Sequence, residues 1–296
     1  MNYDHAYHAG NFADIAKHVA LVACLEALKR KPTAFFALDT HAGRGDYDLD
    51  SAEAHRSGEA ERGIRRLLAD LVPGAAPVSA LEPYLQALGA APERPLRRYP
   101  GSAGLIAAAL RPGDRAVLVE LDAPTARAAE RRLESRGRLQ VEIGDGYTAL
   151  RARLPPPERR GLVLIDPPFE RPDELEVLVA AVREAFRRWS TGIYLVWFPI
   201  RSAVQRAAVR ARFRGLEIPK MLSADLAIYP DDAGVGLAGS GLVIINPPYG
   251  VEEPLRGAYR RIHDVLGSPG SGYSEVSHLT PERAFFHRHP RTEHEP

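Results

Sequence analysis

Short apolar runs alternate with longer amphipathic segments along most of the chain. The runs mostly have four to about eight residues, which suits buried strands, and the segments between them repeat apolar residues at helical spacing. Because strands that alternate with helices pair in parallel, this pattern predicts an α/β fold with a mostly parallel sheet. The predicted strands cover 35–39, 116–121, 139–143, 162–165, 192–199, 217–228 and 241–245, and the main predicted helices cover about 12–30, 103–110, 173–188, 201–213 and 254–266.

The last two predicted strands are joined by a Gly-rich loop without a helix, so we expect them to form an antiparallel hairpin. The sheet would then have seven strands, one of them antiparallel. Residues 48–112 are dominated by Glu, Arg, Ala and Leu with proline breaks, which indicates a small helical insertion. We therefore predict a core domain of residues 1–47 and 113–280. The charged, His-rich residues 281–296 are expected to form a flexible tail.

Acidic residues or glycines follow four of the predicted strands. Gly43 and Gly45 come after the first strand, Glu120 lies at the end of the next, and Asp145 and Asp166 follow two more. Glycines let the backbone approach a ligand closely, and an acid after the second strand commonly binds ribose hydroxyls. Because ligands of open α/β sheets bind at the carboxyl ends of the strands, we expect these residues to meet in one site.

A rigid turn, Asp166-Pro167-Pro168-Phe169, directly follows the strand predicted over 162–165. Prolines cannot continue the hydrogen-bond ladder. The Asp166 carboxylate and the Pro167 carbonyl are two acceptors, which suit the two N–H donors of an exocyclic amino group, and Phe169 offers a face for base stacking. The turn resembles the Asp/Asn-Pro-Pro-aromatic motif of S-adenosylmethionine-dependent amino-methyltransferases, chiefly those acting on adenine N6. In the alternative interpretation, Asp166 merely caps a helix after a buried strand.

A second motif of the same form, Asn-Pro-Pro-Tyr, begins at Asn246. Taken alone, it matches the amino-methyltransferase motif as well as the first one does. If the strand over 241–245 is the antiparallel member, however, its carboxyl end lies at the opposite edge of the sheet. We therefore predict that Asp166, and not Asn246, is the catalytic residue.

Longer motifs sharpen the resemblance. The segment Tyr-x-His-x-x-His-Ala-Gly-Asn-x-Ala-Asp-x-x-Lys-His near the start, Leu-Asp-Thr-His-Ala-Gly, Tyr-Pro-Gly-Ser and Leu-Ile-Asp-Pro-Pro-Phe together resemble the bacterial 23S ribosomal RNA adenine-N6 methyltransferases of the J type. The resemblance extends over nearly the whole chain, including the helical insertion. It implies a Rossmann-like class I methyltransferase fold, S-adenosylmethionine as the cofactor and 23S ribosomal RNA as the partner.

The same resemblance implies roles for individual positions. Asp166 would hold the target amine and Tyr3 would bind the RNA, and the chemistry of the turn adds Pro167 as a catalytic residue and Phe169 as a residue that is both catalytic and RNA-binding. Phe169 stands where the family usually has Tyr, so a phenol hydroxyl cannot be essential here. Ser102 also has a simpler interpretation as the N-cap of a helix over 103–110. The cofactor would be bound by Lys17, His18, His41, Gly43, Ser102, Glu120, Asp145, Gly146 and Asp166.

Composition narrows the possible partners and location. The formal net charge is only +1, so no global basic field indicates a nucleic-acid partner. The single cysteine, Cys24, excludes an internal disulfide and suits a reducing compartment. No transmembrane run or signal-peptide pattern is present in the sequence, and we expect a cytoplasmic monomer. Phosphate contacts would come from local arginines, with Arg44, Arg201, Arg206, Arg210 and Arg212 as candidates.

The sequence disfavours three other functions and leaves one open. A metal site built from His5, His8 and His18 lacks a completing carboxylate pattern or cysteine, so no metal is expected. A nicotinamide dehydrogenase would need a third glycine where Asp48 stands. An adenine-N6 DNA methyltransferase stays open as the nearest alternative. A nucleic-acid-binding module without catalysis is disfavoured by intact acids at the strand ends.

Overall fold

The computed structural model of the chain describes residues 5–70, 80–90, 95–230, 233–268 and 270–280. Its centre is an eight-stranded sheet in the order β10-β8-β9-β7-β6-β1-β4-β5. The strands are β1 (Phe36–Asp39), β4 (Arg115–Glu120), β5 (Arg138–Ile143), β6 (Gly161–Ile165), β7 (Ile193–Ile200), β8 (Met221–Ala227), β9 (Gly239–Ile245) and β10 (Tyr273–Thr280), and a separate two-stranded sheet pairs β2 (Asp46–Asp48) with β3 (Arg98–Pro100).

The seven predicted strands of the main sheet run in the predicted directions. The run β5-β4-β1-β6-β7 is parallel throughout. Strand β9 pairs antiparallel with both β7 and β8, which confirms the predicted hairpin. The mostly parallel sheet with one antiparallel strand that the sequence predicts is therefore confirmed, with one addition. Strand β10 adds an eighth, antiparallel strand beside β8, where the sequence analysis predicts no element.

Helices cover both faces of the sheet. They are α1 (Phe12–Lys29), α2 (Ala52–Ser57), α3 (Arg66–Ala69), α4 (Glu82–Ala87), α5 (Ser102–Ala109), α6 (Ala123–Arg132), α7 (Gly146–Arg153), α8 (Glu174–Arg188), α9 (Ala203–Arg214) and α10 (Glu252–Leu266), with a 3-10 turn at His5–Tyr7 and a π-helical turn at Glu61–Arg65. One apolar core packs α1, α5 and α10 against the sheet, and a second packs α7, α8 and α9 on the other face. Alternate residues of β6 enter the two cores, because successive side chains of a strand point to opposite faces.

Short helices dominate the described part of the predicted insertion. Helices α2, α3 and α4 lie within 48–112, and Tyr84 of α4 is fully buried in the core that surrounds α1. The division into a core of 1–47 and 113–280 with an insertion of 48–112 stays a prediction. Residues 281–296, the predicted tail, lie outside the described residues.

Two predicted helix caps have different outcomes. The side chain of Asn11 accepts a hydrogen bond from the Asp14 N–H, which confirms it as the N-cap of α1. The prediction that Ser102 caps α5 is wrong, because Gly101 is the N-cap and Ser102 is the first helical residue. The Ser102 hydroxyl instead donates to Asp39 at 2.6 Å.

The second Pro-Pro motif lies at the edge of the sheet opposite the first. Ile245, the last residue of β9, pairs with Tyr194 near the start of β7. The Asn246 side-chain amide donates to the carbonyls of Ser190 and Gly192, at 2.8 Å each, in the turn that precedes β7. Asn246 is therefore structural, and the turn at Asp166 stands alone at the carboxyl edge of the parallel strands.

None of the helices in the described ranges is long and apolar enough to cross a membrane.

Candidate active site

A cavity of about 740 Å³ lies at the carboxyl edge of the parallel strands. Its walls come from α1, from the loops that follow β1, β4, β5 and β6, and from the end of β7. Tyr3 lies outside the described residues. All other predicted site residues line this one cavity, namely Lys17, His18, His41, Gly43, Ser102, Glu120, Asp145, Gly146, Asp166, Pro167 and Phe169.

The glycine turn after β1 holds the carboxylate of Glu120. Gly43 has a φ of +62°, and a Cβ at this position would lie 2.3 Å from the Tyr47 hydroxyl oxygen, so glycine is required. The Gly43 N–H donates to Glu120 Oε2 at 3.0 Å, and the Asp122 N–H donates to Oε1 at 2.9 Å. These bonds fix a buried carboxylate in the cavity wall, where it can accept from hydroxyl donors such as those of a ribose.

The adjacent wall starts at the N-terminus of α7. Asp145 caps this helix, because its Oδ2 accepts from the N–H and the hydroxyl of Thr148 at 2.7 Å each. A Cβ at Gly146 would lie 2.2 Å from the Thr40 carbonyl oxygen, so glycine lets α7 approach β1. His41 Nδ1 lies 2.8 Å from the Thr40 hydroxyl. Burial lowers the pKa of His41 to about 4, so its ring is neutral at neutral pH.

Lys17 links α1 to the Asp166 turn. Its ammonium group donates to Asp166 Oδ2 at 2.5 Å and to Asp14 Oδ1 at 2.9 Å. His5 Nε2 lies 2.9 Å from Asp14 Oδ2. Burial alone would raise the pKa of Asp14, but the charges of His5 and Lys17 hold it well below its usual range. Lys17 is therefore a buried cation between two carboxylates, and it fixes the orientation of Asp166.

Asp39 does not line the cavity, but it bonds two residues that do, and it was not predicted from the sequence. It is the last residue of β1 and is fully buried. Its carboxylate accepts from the Ser102 hydroxyl at 2.6 Å and from the His41 N–H at 3.1 Å. Burial raises the pKa of Asp39 to about 6, and the nearby Asp166 adds to the effect. An acid at the end of the first strand was the available signal, since the same signal selects Glu120 after the next strand.

His18 belongs to a buried row of polar groups. Its Nδ1 lies 2.9 Å from the Tyr99 hydroxyl, and that hydroxyl lies 2.9 Å from the hydroxyl of Tyr84. All three residues are at most 1% exposed. His18 Nε2 is buried and has no hydrogen-bond partner among the described residues. Since His18 lines the cavity, this nitrogen is the ring atom left for a ligand.

Two aromatic rings form the wall beside Asp166. The rings of Phe169 and Trp197 meet edge to face, with centroids 5.9 Å apart. Trp197 Nε1 donates to the Ser240 hydroxyl at 3.0 Å, which fixes the indole. Phe169 has a φ of +51°, an unfavourable conformation for a bulky residue that recurs at functional sites. Trp197 is not predicted as a site residue from the sequence, because its position within a long apolar strand resembles that of a core residue.

The candidate phosphate-binding arginines fall into two groups. Arg44 and Arg201 line the cavity. Arg206 and Arg210 of α9 instead pair with Glu275 of β10, at 3.2 and 3.0 Å. Arg212 lies 3.7 Å from Glu176.

His5, His8 and His18 each interact with a different residue and do not converge on one point. His5 bonds Asp14, His8 Nδ1 lies 3.0 Å from Glu59, and His18 bonds Tyr99. Across the ranges that the structure describes, no group of three or more His, Cys, Asp or Glu side chains is arranged to hold a metal ion.

Comparison with known proteins gives consistent matches. Residues 32–280 match the sequence model of the family described as "Ribosomal RNA large subunit methyltransferase D, RlmJ". A Haemophilus influenzae protein named "Ribosomal RNA large subunit methyltransferase J" is 38% identical over 287 residues, which are 95% of this chain and 100% of that protein. The Escherichia coli K12 protein of the same name is 37% identical over the same shares of the two chains.

Among solved structures, a crystal structure of a Legionella pneumophila protein superposes with a TM-score of 0.82. The two sequences are 33% identical, and the superposition covers 91% of this chain and 98% of the Legionella chain.

Proposed function

Since the chain belongs to the ribosomal RNA large subunit methyltransferase family RlmJ, we propose that it transfers a methyl group from S-adenosylmethionine to N6 of one adenine in 23S ribosomal RNA. The observation that carries the proposal is the Asp166-Pro167-Pro168-Phe169 turn in the cavity at the carboxyl edge of the sheet. We also propose that the protein acts in the cytoplasm as a monomer without a metal ion.

The cavity residues fit the proposed cofactor. Glu120 presents a fixed carboxylate for the two ribose hydroxyls, and Asp145 presents an acceptor for an adenine amino group. Lys17 and His18 would line the amino-acid end, where the unpaired His18 Nε2 is buried. When bound, S-adenosylmethionine supplies an electrophilic methyl group on a sulfonium.

We assign the target amine to Asp166 and Pro167. Asp166 Oδ2 is taken by Lys17, so Oδ1 is the oxygen that would accept one N–H of the adenine amino group, while the Pro167 carbonyl would accept the other. The adenine N6 lone pair is conjugated with the ring and is a poor nucleophile. Two hydrogen bonds localise this lone pair, and the carboxylate opposes the positive charge that develops on N6. Holding the amine in line lowers the entropic part of the barrier.

Phe169 and Trp197 would bind the flipped adenine. A base must leave its stack to reach a closed pocket, and an aromatic face recovers part of the lost stacking energy. Phe169 supplies that face, while the edge-to-face contact with Trp197 holds the Phe169 ring in place.

The test measures label transfer from S-adenosylmethionine to 23S ribosomal RNA that lacks the modification, followed by digestion to nucleosides. Asp166→Ala should lower methyl transfer by about 10²-fold or more, as does the loss of other preorganised electrostatic partners. Asn246→Ala is the matched control, because Asn246 opens the same motif at the far edge of the sheet. The folded fraction of Asn246→Ala should transfer methyl groups at the wild-type rate.

The nucleoside digest separates the alternatives. Labelled N6-methyladenosine from RNA supports the proposal, whereas label that appears only in DNA would identify an adenine-N6 DNA methyltransferase. Near-wild-type turnover by Asp166→Ala, or loss of turnover in folded Asn246→Ala alone, would refute the assignment of Asp166.

A further inference from the structure

A row of three fully buried polar side chains leads from the predicted insertion to the cavity. Tyr84 lies on α4, Tyr99 lies on β3, and His18 lies on α1. The Tyr84 and Tyr99 hydroxyl oxygens are 2.9 Å apart, and Tyr99 lies 2.9 Å from His18 Nδ1. Within the described residues, Tyr99 is the hydrogen-bond partner found for the Tyr84 hydroxyl.

Burial fixes how many protons this row holds. It raises the pKa of both Tyr84 and Tyr99 above the ordinary tyrosine value, so both stay hydroxyls. It lowers the pKa of His18 to about 3, so the imidazole is neutral and carries one N–H. Three protons are therefore shared among the two hydroxyls and the imidazole ring.

Only one of the two possible directions gives both tyrosine hydroxyls an acceptor, and it leaves the His18 Nε2–H as the donor that has no acceptor among the described residues. If Tyr84 donates to Tyr99 and Tyr99 donates to His18 Nδ1, each hydroxyl has an acceptor and the ring proton lies on Nε2. If the ring proton lies on Nδ1, His18 donates to Tyr99 and Tyr99 donates to Tyr84. The Tyr84 O–H is then left buried without an acceptor among the described residues, which folded proteins avoid. The first direction is therefore favoured. It places the ring proton on Nε2, the nitrogen that is left to bind a ligand.

The neighbouring backbone points to the chemistry of the group that His18 would meet. Tyr99 is two residues before Gly101, the N-cap of α5, whose N-terminus has no side-chain cap hydrogen bond. Gly101 and Ser102 line the cavity together with His18. Free N–H groups at a helix N-terminus favour an anion, and a neutral Nε2–H donor also requires an acceptor. Both features suit a carboxylate and disfavour an ammonium group.

We infer that Tyr99, supported by Tyr84, is a positioning residue that holds His18 as an Nε2–H donor for the carboxylate at the amino-acid end of S-adenosylmethionine. The inference rests on the proposed function for the identity of the ligand. The direction of the hydrogen bonds is a property of the ligand-free protein and does not depend on that identity.

The first experiment measures the two His18 ring nitrogens by long-range ¹H–¹⁵N NMR in the ligand-free, full-length protein, with His18 assigned through a His18→Gln variant. We expect Nδ1 to have the shift of an unprotonated nitrogen and Nε2 that of a protonated one. The opposite pattern would overturn the inference outright. Because the measurement needs no tyrosine variant, it tests the direction of the hydrogen bonds even if such a variant fails to fold.

The second experiment measures binding by calorimetry with S-adenosylmethionine and with its decarboxylated analogue, which keeps the amine. Tyr99→Phe should weaken S-adenosylmethionine about threefold to tenfold, the range of one net hydrogen bond, and should leave the analogue's affinity unchanged. Tyr259→Phe is the matched control. Its hydroxyl is also fully buried and donates to a carbonyl of α1, that of Ala16 at 3.1 Å, whereas the hydrogen bond found for His18 goes to Tyr99.

The outcomes separate the inference from the proposed function. If the wild-type protein binds neither compound, the proposed function fails, and the nitrogen shifts still test the hydrogen-bond direction. If it binds both and Tyr99→Phe weakens both equally, or neither, the carboxylate assignment is overturned. An equal loss in Tyr259→Phe would show a general effect of removing a buried hydroxyl and would also overturn it.

Discussion

Replacement of Asp39 by Asn should stabilise the protein increasingly as the pH rises. Asp39 is fully buried at the end of β1, and burial raises the pKa of its carboxyl from 3.8 to about 6. Asn has nearly the same shape and keeps both contacts, because its oxygen can accept from the His41 N–H and its amide can donate to the Ser102 oxygen. The variant thus removes the ionisation and little else.

The sign and size follow from the shift in pKa. Because the folded-state pKa is above the unfolded value, neutral Asp39 contributes stability that is fully present below about pH 4 and is lost as pH rises through about 6. A shift of about two pKa units corresponds to ~3 kcal/mol. Roughly half of this change should appear between pH 5 and 7.5. A change in the free energy of unfolding that the substitution causes equally at every pH does not affect this pH dependence.

Urea unfolding of both proteins at several pH values between 5 and 7.5 measures this difference. The stability of Asp39→Asn relative to the wild type should rise steadily over the range, and a ¹³C titration of the Asp39 carboxyl should show a midpoint near 6. If the two stability curves run parallel, the Asp39 carboxyl does not titrate in this range, and the reasoning from burial is refuted.

Further predictions concern the aromatic wall and the α9 ion pairs. Phe169→Ala should weaken RNA binding by about 1–3 kcal/mol, the value of one stacked base, while Phe169→Tyr should behave like the wild type in the same binding assay. Trp197→Ala should raise KM for RNA, because the Phe169 ring loses its edge-to-face partner, and an unchanged KM would contradict that role. Arg210→Met should lower the free energy of unfolding by about 1–3 kcal/mol, since buried Asp225 and half-exposed Glu275 lose one of their two cations and keep Arg206; urea unfolding measures this loss.

The sequence predicts the sheet and its carboxyl edge well, because both depend on local signals. Apolar runs mark the strands, and the missing helix between 217–228 and 241–245 correctly predicts the antiparallel β9. Strand β10 is not predicted, since its residues alternate weakly and most are only half buried. Its place in the sheet depends on pairing with β8, which lies far away in sequence.

The candidate site shows the same limit. The side chains at strand ends are predictable from position alone, and the structure gathers them in one cavity. The partners that orient these side chains cannot be predicted from position, because they are distant in sequence. His18 and Tyr99 are 81 residues apart, and Lys17 and Asp166 are 149 residues apart. Ser102 illustrates the difference. Its residue type suggests a helix cap, but its hydroxyl donates a hydrogen bond to the buried carboxylate of Asp39.

Helix α1 lies outside the segment that matches the family model, which matters for any shortened version of the chain. The family match begins at residue 32, yet α1 ends at Lys29 and carries both Lys17 and His18. A protein trimmed to the matched segment would keep every acid at the strand ends and lose Lys17, the cation that orients Asp166, the proposed catalytic residue. It would also expose the apolar surfaces of α5 and α10 that α1 covers. Such a fragment should be inactive and prone to aggregate, and its failure would say nothing about the chemistry of the intact enzyme.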